Sequence, residues 1–310
     1  MSAPIEDDRQ RGQMLALFAI CLVAIIAMTG LVIDGGMTLT QRREEQNTAD
    51  AAAMAGAYAY ATTSNASTAV NEAQNTAAAN GYTHGQDGAI VTVTVSISGG
   101  LATVTANVTK PHRNYFSGIV GFGSWDVSVT ASAVAGAPNA AMGAMPLLFN
   151  KKAFTSGYGQ ANGVAFDEPG TGNEDVPQEA SQFNWTVYCT ANGNACNANT
   201  NTVRGLINGD GKSTVVKLTD LIGPLNAGAH TALFSDLAAY VGQDFPVAIV
   251  NDAGAMQGWA MFRLTGSVGG STKQIRGHFV SPVNAASLRI VPGGGAATSN
   301  FGDTVVHLTN

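Results

Sequence analysis

Cys189 and Cys196 bracket the polar stretch "TANGNA". If this part of the chain lies outside the cytoplasm, a disulfide closing the loop is the natural reading. A metal pair is the competitor, but no histidine sits nearby to complete a zinc set. The third cysteine, Cys21, lies in an apolar run, where a thiol behaves as a small hydrophobe. "FDEPGTGNEDVPQE" places Asp167, Glu168, Glu174, Asp175 and Glu179 together with no basic residue. Oxygen ligands on such a Gly-containing loop could hold Ca²⁺, although the spacing is not that of an EF-hand and a solvated acidic loop explains it as well. "GLINGDGKST" ends in Gly211-Lys212-Ser213, as a phosphate-binding loop does. The first glycine of that motif would have to stand at Leu206, and Gly205 comes one residue early, so a strand-linking turn is the better reading. The five histidines, His84, His112, His230, His278 and His307, show no paired spacing, and no G-x-S-x-G elbow occurs. No catalytic, cofactor-binding or metal-ligating residue is assigned on these grounds.

The composition points the same way. Only 12% of the 310 residues are charged, against about 25% in an ordinary soluble protein. Glycine is abundant at 37 residues, and small polar residues fill much of the rest, which suits small-residue β structure and exported proteins. A net charge of −6, with no basic run longer than the pairs Arg42-Arg43 and Lys151-Lys152, argues against a nucleic-acid partner.

The elements that position these residues begin with Gly12–Ile33, "GQMLALFAICLVAIIAMTGLVI", which carries no charge over 22 residues. At about 1.5 Å per residue it covers roughly 33 Å, enough for a bilayer core of about 30 Å. A cleavable signal peptide would have a shorter apolar core and a small-residue cleavage site, so the segment is expected to stay as an anchor. The basic residues Arg9 and Arg11 before it balance Arg42 and Arg43 after it. Because the short tail can hardly be a working domain, it is placed in the cytoplasm and the remainder outside.

Beyond the span the helix can continue. Ala49, Ala52, Ala53 and Gly56 fall on one helical face, and their small-x-x-x-small spacings let another backbone approach closely. That face can pack on the chain's own sheet, on neighbouring helices, or on both. Arg42, Arg43, Glu44 and Glu45 mark the wet side of the interface, where long side chains can snorkel. A second helix is expected around Ala66–Asn80. In "VTVTVSIS", Val91, Val93, Val95 and Ile97 alternate with polar residues, Gly99-Gly100 supplies a tight turn, and "LATVTANVT" continues the alternation. A short helical piece, "NYFSGIVGFG", precedes a third strand carrying Trp125, Val127, Val129 and Ala131. Three strands with one apolar face need a cover, and the small-residue helix is the candidate.

Gly12-Gln13 at the head of the span, Asp34-Gly35 at its exit and "QRREEQNTADAAAMAGA" after it together resemble the N-terminal segment of the TadE/TadG-like Flp pilus-assembly proteins. The matching positions are Gln46, Asn47, Ala49, Asp50, Ala51, Ala52, Ala53, Ala55, Gly56 and Ala57, and the later hairpin, Phe-bearing turn and closing strand extend the resemblance over residues 9–136. It implies a single-pass, pilin-like protein of the inner membrane, mostly extracytoplasmic, that assists a tight-adherence pilus or a related secretion apparatus. Its implied partners are the membrane and other pilus-assembly proteins or pilin-like subunits, with homo- or hetero-oligomers formed through the N-terminal helix. Asp34, Ala49, Asp50, Ala52, Ala53 and Gly56 are the implied helix-packing and assembly residues. The fifth residue after Gly12 is Leu17 rather than Glu, which argues against prepilin-type cleavage, and no D-x-S-x-S string occurs. The resemblance is therefore to a TadG-like member without a von Willebrand A domain.

The expected fold class is α+β and membrane-anchored. It comprises a tail (1–11), a transmembrane helix (12–33) and a pilin-like helix on a small antiparallel sheet (34–136). A linker (137–146) and a β-rich domain (147–310) follow. In that last part only "TALFSDLAAYVG" looks helical, with Leu233, Leu237 and Tyr240 on one face. The favoured function is a non-enzymatic assembly role without a cofactor. The alternative is a tethered ligand-binding, adhesion or hydrolase domain.

Overall fold

The computed structural model describes residues 7–169, 176–191, 196, 199–224, 230–282, 285–291, 294–295, 297 and 300–309. Helix α1 (Asp7–Thr63) runs unbroken for 57 residues, roughly 86 Å at 1.5 Å per residue. Its most apolar window has a mean hydropathy of 2.8 and is 6% buried, so it is long and apolar enough to cross a membrane. Large side chains from Met14 to Val32 stand exposed along it.

After a turn at Ser64 (φ +52°) the chain folds back as α2 (Ala66–Ala79). The Asn65 carboxamide oxygen caps this helix, accepting from Ser67 N at 2.8 Å and Thr68 N at 3.2 Å. Ala69, Ala73 and Ala77, spaced four apart, are buried in one cluster with Ala49, Ala52, Ala53 and Ala57 of α1. Strands β1 (Ile90–Ser98), β2 (Leu101–Arg113) and β3 (Ser124–Gly136) form an antiparallel meander whose buried face joins this cluster through Val91, Val104, Ala106, Val108 and Val129. Gly99 and Gly100 take φ of +58° and +79° in the first hairpin, the left-handed pair that a two-residue turn requires.

The chain then leaves this sheet through β4 (Ala140–Met142), β5 (Leu147–Asn150), α3 (Lys152–Thr155), β6 (Val164–Asp167), β7 (Phe183–Tyr188), α4 (Thr200–Asn208), β8 (Val215–Lys217) and β9 (Ile222–Pro224). It continues through α5 (Thr231–Leu237), β10 (Asp244–Val250), β11 (Met256–Val268), β12 (Gln274–Val280), β13 (Leu288–Arg289) and β14 (Val305–Thr309). A seven-stranded sheet has the order β6-β12-β11-β10-β5-β7-β9, with β5 and β10 parallel and the other pairs antiparallel. On one face, Phe149 meets Phe166 edge-on at 5.0 Å and Phe262 at 4.9 Å, and α4 and α5 cover the cluster with Val203, Leu206, Ile207, Leu233, Phe234 and Leu237. On the other face, Leu148, Tyr188, Ala248, Val250 and Trp259 pack in one cluster with Ala141, Val216 and Leu288 of the small sheet β13-β4-β8. With both faces covered, β7 is buried at every position, which is why its sequence does not alternate.

Three features differ from the sequence expectation. The stretch 137–146, which reads as a linker, contains β4, whose Ala140 and Ala141 are fully buried. Small side chains that look like linker composition are what a strand between two sheets needs. Helix α4 falls in an Asn-, Thr- and Gly-rich region, yet Asn199 caps it by accepting from Thr202 N at 3.0 Å, and Val203, Leu206 and Ile207 share one face. The GDGKST sequence is thus the turn that leads from a helix to β8, with Gly209 left-handed at the helix end (φ +115°), rather than a strand-linking turn. Finally, β14 returns to the first sheet and pairs with β3 from Val305↔Gly136 to Thr309↔Ser132, giving the order β1-β2-β3-β14.

Candidate functional site

The residues that face the sheet along α1 follow one helical stripe. Asp34, Thr38, Gln41 and Glu45 continue upward into Thr48, Ala49, Ala52, Ala53 and Gly56, at spacings of three and four that keep one face inward. The lower part of the stripe is polar and the upper part is small and apolar.

Asp34 opens it, directly after the apolar span, and is fully buried. Its carboxylate accepts from the backbone N–H groups of Tyr115 (3.0 Å), Phe116 (3.1 Å) and Ser117 (2.6 Å). These amides lie at the start of the 3-10 turn Ser117–Val120 and have no partner of their own within it. Burial disfavours the charge, but the Ser117, Tyr115 and Phe116 hydrogen bonds outweigh it and hold the carboxyl at about 2. One residue type at one helical position therefore fixes the loop between β2 and β3 against the end of the span.

Thr38 comes next. Its hydroxyl donates to Asp34 O at 2.8 Å and accepts from the Trp125 indole N–H at 3.1 Å. Gln41 links three groups. Its Nε2 donates to Glu45 Oε1 (2.8 Å) and to Lys110 O (3.1 Å), so its Oε1 accepts from His112 Nδ1 (2.7 Å) and the proton is assigned to that nitrogen. The His112 ring stacks on Trp125 at 6.1 Å. Glu45, expected on the wet side with Arg42, Arg43 and Glu44, is instead fully buried, while the other three are exposed. Its position eleven residues after Asp34 turns it towards the sheet. Burial pushes its carboxyl up, with Gln41 and Lys110 pulling the other way.

The upper stripe contains no polar chemistry. Ala49, Ala52 and Ala53 have no exposed surface, and Gly56 is buried. A Cβ at Gly56 would lie 2.9 Å from Ala69 O, 2.9 Å from Val104 Cγ1 and 3.1 Å from Ala73 Cβ. This face is packed by the chain's own α2 and β2. Asp50 is half-buried beside it and accepts from Gln46 Nε2 of the same helix at 2.9 Å.

The remaining sequence candidates lie elsewhere. Cys189 Sγ is bonded to Cys196 Sγ, with 4.7 Å between the Cα atoms. In the acidic stretch, Asp167 accepts from Gln274 Nε2, Glu168 pairs with His230 in a buried contact, and Glu174 and Asp175 lie outside the described residues. Lys212 lies over the Tyr240 ring at 5.5 Å. Of the histidines only His112 reaches the joint; His84 accepts from Val91 N in a turn, and His278 and His307 lie on β12 and β14. Among the described residues, no three His, Cys, Asp or Glu side chains converge as metal ligands would. Thr38 and Gln41 are joint residues that the sequence reading passed over, and Glu45 is one that it placed on the wet side, although counting in threes and fours from Asp34 finds all three. His112 and Trp125 carry no such signal, because strand pairing alone brings them there.

The arrangement as a whole is a mechanical joint with its polar bonds at the end nearer the apolar run. No curated protein and no solved structure matches the chain. Residues 12–59, the apolar span together with the inward stripe from Asp34 to Gly56, match the model of the putative Flp pilus-assembly TadE/G-like family.

Proposed function

We propose that this is a non-enzymatic, single-pass protein of the inner membrane that assists assembly or anchoring of a tight-adherence pilus or a related secretion apparatus. Residues 1–11 face the cytoplasm, 12–33 span the membrane, and the sheet and the β-rich domain lie outside. The observation that carries the reading is the coincidence of two things on one segment. The family match covers residues 12–59, and within them Asp34 and Gly56 bind the span rigidly to the domain above it. Because Ala49, Ala52, Ala53 and Gly56 are used internally, contacts with pilin-like or assembly helices fall to the exposed face of α1 between Met14 and Val32. The Cys189–Cys196 disulfide supports an oxidising compartment for the outer domain.

The test is to shear cells and follow the protein by immunoblot, with a deletion strain examined for pili in parallel. Protein retained in the membrane, with pili lost on deletion, is the expected result. Protein in the sheared filaments would make it a filament component. Normal pili in the deletion strain would sink the proposal.

A further inference from the structure

The loop between β2 and β3 has features that the joint does not use. Its sequence from Asn114 to Gly123, "NYFSGIVGFG", contains no charged residue. Four of its large side chains stand exposed: Tyr115 at 59%, Phe116 at 39%, Ile119 at 82% and Phe122 at 66%. In water this would be an apolar tip with no covering element.

Its height along α1 is set by two contacts. One is the Asp34 carboxylate. The other lies inside the apolar span, where a Cβ on Gly30 would come within 2.5 Å of Phe116 Cβ and 2.8 Å of its Cγ. Phe116 therefore rests on the bare backbone of the span, three residues, or about 4.5 Å, below its last apolar residue Ile33. A glycine at that place is what permits the approach.

The backbone bonding of the loop is an independent observation. A segment in hydrocarbon must satisfy its polar groups internally. The N–H groups of Tyr115, Phe116 and Ser117 go to Asp34. Ile119 N donates to Phe116 O, Gly121 N to Gly118 O, Phe122 N to Ser117 O and Asn114 N to Gly123 O. Asn114 Nδ2 takes Phe122 O at 2.9 Å. Seven of the loop's backbone N–H groups, those of Asn114, Tyr115, Phe116, Ser117, Ile119, Gly121 and Phe122, thus have partners within the protein beneath an apolar exterior. Above the loop the character reverses. Arg113, next to the loop, and Arg42 on α1 are exposed, and cations flanking an apolar surface in this way suit anionic lipid headgroups.

We propose that residues 115–122 are immersed in the lipid leaflet at the outer end of the span, as a second membrane contact beside α1. The occupant of the apolar tip is the bilayer that holds the chain's own anchor. Asp34 then supplies hydrogen-bond acceptors to a turn that water cannot reach. The inference rests on the reading of residues 12–33 as a membrane span.

The experiment uses the full chain in liposomes, labelled at single cysteines with an environment-sensitive fluorophore. Quenching is compared between a nitroxide on the lipid acyl chain and a nitroxide dissolved in water. Native Cys21, exposed on the span, reports on the anchor. In a Cys21→Ser background, Ile119→Cys and Phe122→Cys report on the loop at two positions, and Ser98→Cys, exposed at the far end of the sheet, reports on water. The expected result is a blue-shifted emission for both loop labels, with more intensity lost to the acyl-chain nitroxide than to the aqueous one, as at Cys21 and opposite to Ser98. Loop labels that behave like Ser98 while Cys21 is quenched from the acyl chain would overturn the proposal and leave the span intact. A Cys21 label quenched from water would overturn the span and the proposal with it.

Discussion

Gly56→Ala and Gly56→Leu probe the closest approach in the N-terminal core. Alanine places one carbon 2.9 Å from both Ala69 O and Val104 Cγ1, closer than ordinary Cβ contacts allow, so α2 or β2 must give way. Overpacking of this kind costs about 1–3 kcal/mol, and the better helix propensity of alanine returns about 1 kcal/mol. The expected net loss for Gly56→Ala is about 0–2 kcal/mol. Leucine adds three more carbons at the same point, and the ceiling on its cost is the undocking of α2. That would return the methyl groups of Ala69, Ala73 and Ala77, and those they cover on α1, to water. At about 0.8 kcal/mol per carbon the loss is about 2–4 kcal/mol. The assay is hydrogen exchange by mass spectrometry on the full chain in lipid, read on peptides from α2 and β2. Because 1.4 kcal/mol is tenfold in an equilibrium constant, Gly56→Leu should speed exchange in α2 by about one to three decades and leave β10 and β11 unchanged. Unaltered protection in α2 would refute the argument that Gly56 is kept for lack of room.

Asp34→Ala should release the amides of Tyr115, Phe116 and Ser117, seen as faster exchange in residues 114–123 with α2 unaffected; Asp34→Asn, which keeps one acceptor, should give an intermediate rate. Asp303 is fully buried and accepts from Met261 N at 2.7 Å. Burial pushes its carboxyl from 3.8 up to about 8 against the pull of that bond. The folded state then keeps a proton that the unfolded chain has released, so stability should fall as pH rises from about 4 to about 8. Asp303→Asn should remove that part of the decline in a series of denaturant titrations across this range. Reduction of Cys189–Cys196, which closes a loop at a sequence separation of 7, should lower stability by about 2 kcal/mol through the freed loop, read as a lower unfolding midpoint with dithiothreitol.

The legible parts of the fold were those in which one periodicity dominates. The uncharged run, the Ala49–Gly56 face and the alternation in β1, β2 and β3 each depend on a single neighbour and leave a simple pattern. The joint was half legible. Asp34 and Gly56 stand out, but Glu45 sits in a charged knot, and only its place on the helix turns it inward. The large sheet was legible as strands and not as an order. Its central strands are buried on both faces, so their patterns do not alternate, and the pairing of β14 with β3 is decided by contacts far apart in the chain. Helix α4 was hidden by Asn and Thr, whose capping role at Asn199 depends on geometry that composition does not display.

The return of β14 also governs how load passes through the molecule. The stretch between β3 and β14 is an excursion from one sheet, leaving at Gly136 and coming back at Val305, and these two residues are partners in the same ladder. A pull on that stretch along the strands enters through two adjacent attachment points at once. The hydrogen bonds from Val305 to Thr309 are then sheared together instead of being peeled one by one. With two tethers in place of one, the domain cannot swivel about a single linker. Tension or torque on that part of the chain is delivered to the sheet, and through Gly56 and Asp34 to the long apolar helix.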